Sequence, residues 1–192
     1  VADRTIHWVT KHQLLDAPLW AKFVNQFRLH PDTAANGWGG EYWGKMMRGS
    51  VMVYQYTHDA ELFRVLTQPV EELLTTQMPD GGFSSYQPGT GFCHWDVWCR
   101  KYVLLGLEYY LEICTDQSLR QRVLSAMCAH ADAVLEHVGN REDGKIPITE
   151  TSGIYGGMNS ASFLEPIVRL YRLTGEERYL RFANHILSTG GS

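Results

Sequence analysis

Apolar residues recur along most of this chain at the spacing of an α-helix, so that they gather on one face of each helical stretch. The clearest stripe consists of Val103, Leu104, Leu107 and Leu111. Polar, glycine-rich breaks interrupt the pattern and mark the ends of helices. The pattern predicts helical hairpins at about 41–77, 96–138 and 159–189, with one preceding helix near 13–28.

The hairpins are copies of one repeated unit. Thr57, Thr115 and Thr174 stand at matching points of three similar segments, 58 and then 59 positions apart. An apolar helical stretch precedes each threonine and a second one follows it. Repeats of this length are typical of stacked supersecondary units. Each threonine is therefore predicted to lie in the turn between the two helices of a hairpin.

Polar residues after these threonines predict how the second helices begin. Asp59 and Asp116 are suitable N-cap residues, because a short carboxylate accepts hydrogen bonds from the free N–H groups of a first helical turn. Thr174 and Glu177 have the spacing of a capping box, in which each side chain bonds to the other residue's backbone. The sequence thus predicts an N-cap in every hairpin.

A single hairpin of this size cannot bury its apolar face alone, so the hairpins are expected to stack side by side. Three stacked units predict an all-α fold: one partial domain over residues 1–192 that forms about half of an α/α toroid. The first twelve residues show no initiator methionine and no signal-peptide pattern. We therefore expect part of a longer chain, with no compartment assigned.

Composition narrows the classes of function. The chain has 192 residues, of which 44% are hydrophobic and 20% are charged, as in ordinary water-soluble domains. Its net charge of −4 offers no basic surface for phosphate groups, so nucleic acid is not an expected partner. No apolar run approaches the roughly 20 residues that cross a bilayer, so a membrane is not an expected partner either.

Unusual residues concentrate at the starts of the first helices of the hairpins. In a ring of hairpins these helices line the inside, and their starts open onto a cleft. The candidate binding residues there are polar or aromatic: Glu41, Lys45, His94, Trp95, Asp96, Trp98, Lys101, Asn159 and Ser160. Aromatic faces pack on the C–H surfaces of sugars, while charged groups bind hydroxyls. The cluster therefore favours a carbohydrate-binding cleft.

Structural roles for the same residues stay open at this point. Glu41 and Lys45 are four positions apart, in the order that favours an ion pair along one helix face. Glu41 and Asp96 could act as a general acid and base only at a suitable separation, which the sequence does not fix. Four tryptophans would equally suit the packing between hairpins: Trp38, Trp43, Trp95 and Trp98.

The four cysteines give no metal or disulfide pattern. Cys93, Cys99, Cys114 and Cys128 form no C-x-x-C pair and are too few for a disulfide framework over this length. Cys93, His94 and Cys99 carry metal-binding side chains, but their spacing matches no standard zinc site. We assign no cofactor to this chain and expect its cysteines to be mostly buried thiols.

Three stretches, 95–106, 157–175 and 178–183, resemble the β-L-arabinofuranosidase-like glycoside hydrolases, and the similarity extends from about Trp38 to Gly191. The resemblance implies an α/α toroid followed by β-sandwich domains. It also implies release of L-arabinofuranose from plant-type glycans by a zinc-bound cysteine nucleophile and a glutamate acid/base. The Glu-x-Cys and Cys-Cys motifs that carry this chemistry have no match here. Zinc is therefore expected outside this chain, and none of its cysteines inherits the role.

The predicted pocket departs from the family pattern. Many relatives carry histidines where this chain has Glu41, Lys45, Lys101 and Ser160. Lysine only donates hydrogen bonds, and an ionised glutamate only accepts them. The pocket is therefore expected to bind its sugar with a different set of hydrogen bonds, and the sugar stays open.

We therefore interpret the chain as the substrate-binding half of a glycoside hydrolase domain, inactive on its own. Two alternatives stay open. One is a non-catalytic helical-repeat module that binds a protein or a glycan, and the other is a toroid sugar epimerase or isomerase. An open side of the ring would also expose apolar surface through which copies of the chain could associate.

Overall fold

The computed structural model describes residues 2–34 and 37–190. Its α-helices, in chain order, are α1 (Ala2–Val9), α2 (Ala17–Leu29), α3 (Glu41–Thr57), α4 (Ala60–Leu74), α5 (Asp96–Ile113), α6 (Gln117–His137), α7 (Met158–Ala161), α8 (Leu164–Thr174) and α9 (Glu177–Thr189). A π-helical turn, Thr10–Leu14, joins α1 to α2. No helix in this part of the chain is long and apolar enough to cross a membrane.

The first helices of the hairpins, α3, α5 and α8, lie side by side as an inner layer. Gln55 of α3 donates a hydrogen bond to Glu112 of α5 over 3.0 Å, and Arg169 of α8 donates to the same carboxylate over 2.9 Å. Near the opposite end, Glu41 of α3 accepts a hydrogen bond from Trp98 of α5. Early residues of α3 thus meet early residues of α5, and late residues meet late ones, so these helices run in parallel.

The second helices, α4, α6 and α9, form an outer layer. Arg122 of α6 pairs with Glu71 of α4 over 3.6 Å, and Arg178 of α9 pairs with Asp132 of α6 over 2.8 Å. The aliphatic and aromatic side chains that the two layers direct towards each other form one continuous core. The predicted all-α class and the arrangement as part of an α/α toroid are confirmed.

The inner helices α3 and α5 cross with almost no side chain between them. A Cβ atom added to Gly44 would lie 1.8 Å from the carbonyl oxygen of Tyr102, and one added to Gly106 would lie 2.9 Å from the Cα atom of Gly44. Trp43 packs beside this crossing and is fully buried. The two glycines therefore allow the close approach of the inner layer.

The repeated threonines lie in the turns, although the three turns differ. Thr57 and Thr174 each donate to the carbonyl group four residues earlier and accept from the backbone N–H two residues later. At Thr115 the preceding helix has already ended. Asp59 and Asp116 cap α4 and α6 through their side chains, so both predicted N-caps are confirmed.

The capping box predicted for Thr174 and Glu177 does not form. Gly175 takes a left-handed conformation and ends α8, and Glu176 is the residue that precedes α9. Helix α9 consequently begins two residues later than a box starting at Thr174 requires. The Thr174 hydroxyl instead accepts the N–H of Glu176 over 3.2 Å.

The first helix of the third hairpin is interrupted. A single helix was predicted from residue 159, but α7 ends at Ala161 and α8 begins at Leu164. Pro166 explains the interruption, because proline has no N–H to donate and its ring would clash with the carbonyl group of Ser162, four residues earlier.

The long loop between the first two hairpins, residues 78–95, packs into the molecule, and residues 83–86 are buried. The N–H of Phe83 donates to Nδ1 of His130 over 3.0 Å, and the hydroxyl of Tyr86 donates to the carbonyl of Gly37 over 2.6 Å. These bonds attach the loop to the outer helix α6 and to the approach to α3. The loop therefore holds the starts of the inner helices in place.

Candidate functional site

The starts of α3 and α5 bring charged and aromatic side chains together. The carboxylate of Glu41 accepts a hydrogen bond from the indole N–H of Trp98 and pairs with Lys45, one turn further along α3, over 2.8 Å. The Glu41 side chain is only 13% exposed, whereas that of Lys45 is 40% exposed. The predicted Glu41–Lys45 ion pair is thus present. Trp98 of the neighbouring helix lies against its carboxylate, so the pair is only partly solvated.

Lys101 lies deeper in the same cluster. Its amino nitrogen is 3.5 Å from the centre of the Trp98 ring and 4.0 Å from the centre of the Tyr102 ring. A cation over an aromatic face is attracted by the negative charge of the π system. Burial lowers the pKa of Lys101 to about 8, and nearby Glu165 partly opposes this shift.

Three aromatic rings continue along this face of α5. The rings of Trp95 and Trp98 meet edge to face with centres 5.7 Å apart, and those of Trp98 and Tyr102 do so at 5.1 Å. All three side chains are half-buried. Tyr102 was not among the predicted binding residues. Its place four residues after Trp98, on the same side of a helix, is the signal that could have found it.

Asp96 was predicted with this group but lies behind it. Its side chain is fully buried and accepts hydrogen bonds from Ser84 Oγ (2.6 Å), the N–H of Phe92 (2.7 Å) and Nε of Arg100 (2.9 Å). The hydrogen bonds of this carboxylate are therefore made to other parts of the protein and not to the candidate binding surface. The structure therefore gives Asp96 the role of fixing the 78–95 loop to the first turn of α5, and its fully buried carboxylate is not exposed to act with Glu41 as an acid/base pair.

The third hairpin meets the second through α7, the short helix that precedes α8. Asn159 donates to the backbone carbonyl of His94 over 2.9 Å, and the His94 side chain is exposed on a left-handed backbone conformation with φ 48°. Asn159 Oδ1 and the Ser160 hydroxyl are buried and have no hydrogen-bond partner among the described residues. Unsatisfied buried polar atoms are costly, so these two mark a place where a polar group or water is expected.

The four tryptophans near the helix starts do not share one role: some pack between hairpins, and others belong to the candidate sugar-binding surface. Trp43 is fully buried against the crossing of α3 and α5, which is the packing role. Trp38 is 47% exposed in the approach to α3. Trp95 and Trp98 contribute to the aromatic face described above.

A second polar cluster lies at the other end of the inner helices and was not predicted. The carboxyl group of Glu108 is almost completely buried and accepts from Arg169 over 3.1 Å, while its other oxygen has no hydrogen-bond partner in the described structure. Burial raises the pKa of Glu108 well above its usual range, and Arg169 partly opposes this. Both residues line a cavity of about 420 Å³.

The cysteines do not assemble a metal site. Burial raises the pKa of the Cys93, Cys99 and Cys128 thiols, so none of the three is prepared as a thiolate at neutral pH. Within residues 2–34 and 37–190, no group of three or more His, Cys, Asp or Glu side chains could hold a metal ion. The described residues do not fit the zinc centre that the resemblance implies.

Comparison with known proteins identifies the family. The family model described as "Beta-L-arabinofuranosidase, GH127 catalytic domain" matches residues 4–191. Among solved structures, the chain is similar to Ara127N-Se, a GH127 β-L-arabinofuranosidase from Geobacillus stearothermophilus T6, with a TM-score of 0.72 and 20% sequence identity. The match covers 99% of this chain and 32% of that one, so the chain spans about a third of that protein's length. The comparison with curated proteins gave no match. Since the family model covers nearly the whole chain, the chain belongs to the GH127 β-L-arabinofuranosidase family.

Proposed function

We propose that this chain forms the substrate-binding wall of a glycoside hydrolase that acts on glycans containing L-arabinofuranose. The observation that carries the proposal is the convergence of Glu41, Lys45, Trp98, Lys101 and Tyr102 at the starts of two parallel inner helices. Membership of a glycoside hydrolase family supports a carbohydrate as the ligand.

The cluster has the chemistry that a sugar requires. The half-buried rings of Trp95 and Trp98 offer apolar surface to the C–H groups of a sugar ring. The carboxylate of Glu41 accepts hydrogen bonds, and the amino group of Lys45 donates them, so the two can bind neighbouring hydroxyl groups. These residues bind and orient the sugar, and we assign neither the nucleophile nor the acid/base to any described residue.

Replacing Glu41 tests this assignment. In the polypeptide that carries this chain, Glu41→Gln keeps the shape of the side chain but removes the charge that Trp98 and Lys45 contact. We expect kcat/KM for 4-nitrophenyl β-L-arabinofuranoside to fall by roughly 10- to 100-fold, because a charged hydrogen-bond partner is lost. The melting temperature should hardly change. Glu136→Gln, at an exposed position of outer helix α6, is the control and should leave both quantities unchanged.

The possible outcomes separate the proposal from the alternatives. Arabinose released by the parent protein and lost with Glu41→Gln supports the proposal. Saccharide binding without release of any sugar would instead identify a non-catalytic binding module. A product with the mass of the substrate would identify an epimerase or isomerase. Neither binding nor turnover of any arabinofuranoside would contradict the proposal outright.

A further inference from the structure

Lys101 is a buried cation without a carboxylate partner. Only 6% of the residue's surface is exposed, and its amino group, which keeps a small contact with solvent, rests on the rings of Trp98 and Tyr102. Among the described residues, no carboxylate oxygen comes within ion-pairing distance of it, and no hydrogen bond reaches its nitrogen. Proteins seldom bury a lysine without pairing its charge, because removing an ammonium group from water is costly.

A second amino group reaches the same two rings. Lys45 lies 5.6 Å from the centre of the Trp98 ring and 4.8 Å from that of Tyr102, and it is already paired with Glu41. The two lysines therefore share one aromatic platform. Among the described residues only Glu41 forms an ion pair with either lysine, while Glu165 acts on the Lys101 charge from beyond ion-pairing distance. An added anion at this platform would complete the pairing, whereas a neutral group would leave Lys101 unpaired.

We propose that Lys101 binds an anionic group, a carboxylate or a sulfate, on the sugar that lies against Trp98 and Tyr102. The inference rests on the proposed carbohydrate-binding role of this cluster and narrows the ligand to acidic glycans. The aromatic rings supply the surface for the sugar ring, and the ammonium group supplies a charge-assisted hydrogen bond to its anionic substituent.

Three monosaccharides that differ at one carbon atom test the proposal. Titration calorimetry with the polypeptide that carries this chain, at pH 6.5, would compare D-galacturonic acid, D-galactose 6-sulfate and D-galactose. We expect at least one anionic sugar to bind at least about tenfold more tightly than galactose, the effect of one charged hydrogen bond. The anionic sugar that binds more tightly shows whether Lys101 prefers a carboxylate or a sulfate.

Variants at position 101 assign the preference to Lys101. Lys101→Met keeps most of the apolar stem and should abolish the preference for the anionic sugar, whereas Lys101→Arg should retain much of it. Lys11→Met removes an exposed positive charge from the π-helical turn and should leave the preference unchanged. A thermal melt of each variant confirms that it is folded.

The pH dependence gives an independent readout. Glu165 on α8 and Glu41, Lys45 and Arg48 on α3 act on the Lys101 charge, and the ring of Tyr102 on α5 lies against it. Lys101 is protonated below its pKa of about 8, so affinity for an anionic sugar should be constant near pH 6.5 and fall as pH rises through 8. Affinity for galactose, and all affinities of Lys101→Met, should lack this step.

The outcomes distinguish failure of this inference from failure of the proposed function. If galactose and both anionic sugars bind equally and Lys101→Met changes nothing, the anionic site is refuted, while hydrolysis of the arabinofuranoside would still support the carbohydrate role. If no sugar binds and the arabinofuranoside is not hydrolysed, both fail. If hydrolysis proceeds but neither anionic sugar binds, only the anionic site is refuted.

Discussion

Burial determines which protonation state of His130 the fold can hold. The side chain is fully buried, and its Nδ1 accepts the N–H of Phe83 over 3.0 Å. Nε2 must then carry the proton, and it donates to the carbonyl of Arg100 over 3.0 Å. A second proton on Nδ1 would point at another N–H group. Burial lowers the pKa of His130 to about 4, with the Arg100 charge acting in the same direction.

This geometry predicts acid sensitivity. Between pH 6.5 and 4 the unfolded chain protonates this histidine while the folded chain does not, so the free energy of unfolding should decrease as pH falls through this range. The contribution of His130 is up to about 3 kcal/mol. Urea unfolding at pH 7, 5.5 and 4.5 should therefore show a shallower loss for His130→Gln than for the original protein. Equal pH slopes would contradict the prediction.

Residue type alone could not show that Glu41 lies at the candidate site whereas Asp96 is buried behind it. Both are carboxylates at the start of an inner helix, and the sequence places both in the cleft. The structure differs because Ser84, Phe92 and Arg100 surround Asp96 from behind, and two of these belong to a loop whose path the sequence does not reveal. The nine candidate binding residues as a group remain a prediction that ligand binding must test.

At the scale of elements, the crossing of α3 and α5 depends on Gly44. Gly44→Ala would place a methyl group against the backbone of Tyr102, and backbone cannot rotate away as a side chain can. We expect the free energy of unfolding to drop by about 3 kcal/mol or more, since the two helices must separate. Chemical denaturation would measure the loss.

Gly49 is the matched control, because it lies on the same helix with no atom within 4 Å of an added Cβ. Gly49→Ala should raise stability by about 0.5–1 kcal/mol, since alanine favours a helix more than glycine does. Comparable destabilisation by the two substitutions would show that helix α3 tolerates neither, and that the crossing is not the cause.

The sequence predicted the elements well where one local signal fixes them. The N-caps at Asp59 and Asp116 need only a short carboxylate before an apolar helix, and both form. The interruption before Pro166 was missed because the apolar spacing continues through it. Helix α1 was missed because its residues are largely exposed, so no apolar core stripe marks it.

At the scale of the whole molecule, the inner helices share one register. Gln55, Glu112 and Arg169 follow each other at steps of 57 positions and are joined by hydrogen bonds across α3, α5 and α8. The threonines in the turns, by contrast, are 58 and 59 positions apart. The spacing of the threonines therefore predicts the repeat and, with it, the toroid. It does not predict which side chains of neighbouring inner helices contact each other, because the contacting residues are spaced one or two positions more closely.

Arg169 holds the third hairpin to the second, since it bonds to both Glu108 and Glu112 of α5. Arg169→Met should reduce the free energy of unfolding by about 1–3 kcal/mol at neutral pH, because the buried Glu108 loses its charged partner. Arg172→Met is the control: Arg172 is exposed one turn further along α8, so its loss should change stability by less than about 0.5 kcal/mol.

The cost of removing Arg169 should also depend on pH, in a direction fixed by Glu108. Because burial raises the pKa of Glu108 in the folded state, ionising it costs stability as pH rises, and Arg169 reduces that cost by stabilising the charged form. The difference between the original protein and Arg169→Met should therefore grow between pH 5 and pH 8, while Arg172→Met shows no such trend. A difference that is constant with pH would mean that Arg169 acts mainly through Glu112, which is already well solvated. In that case the third hairpin is attached by the more exposed Arg169–Glu112 pair and by apolar packing rather than by the buried Arg169–Glu108 pair.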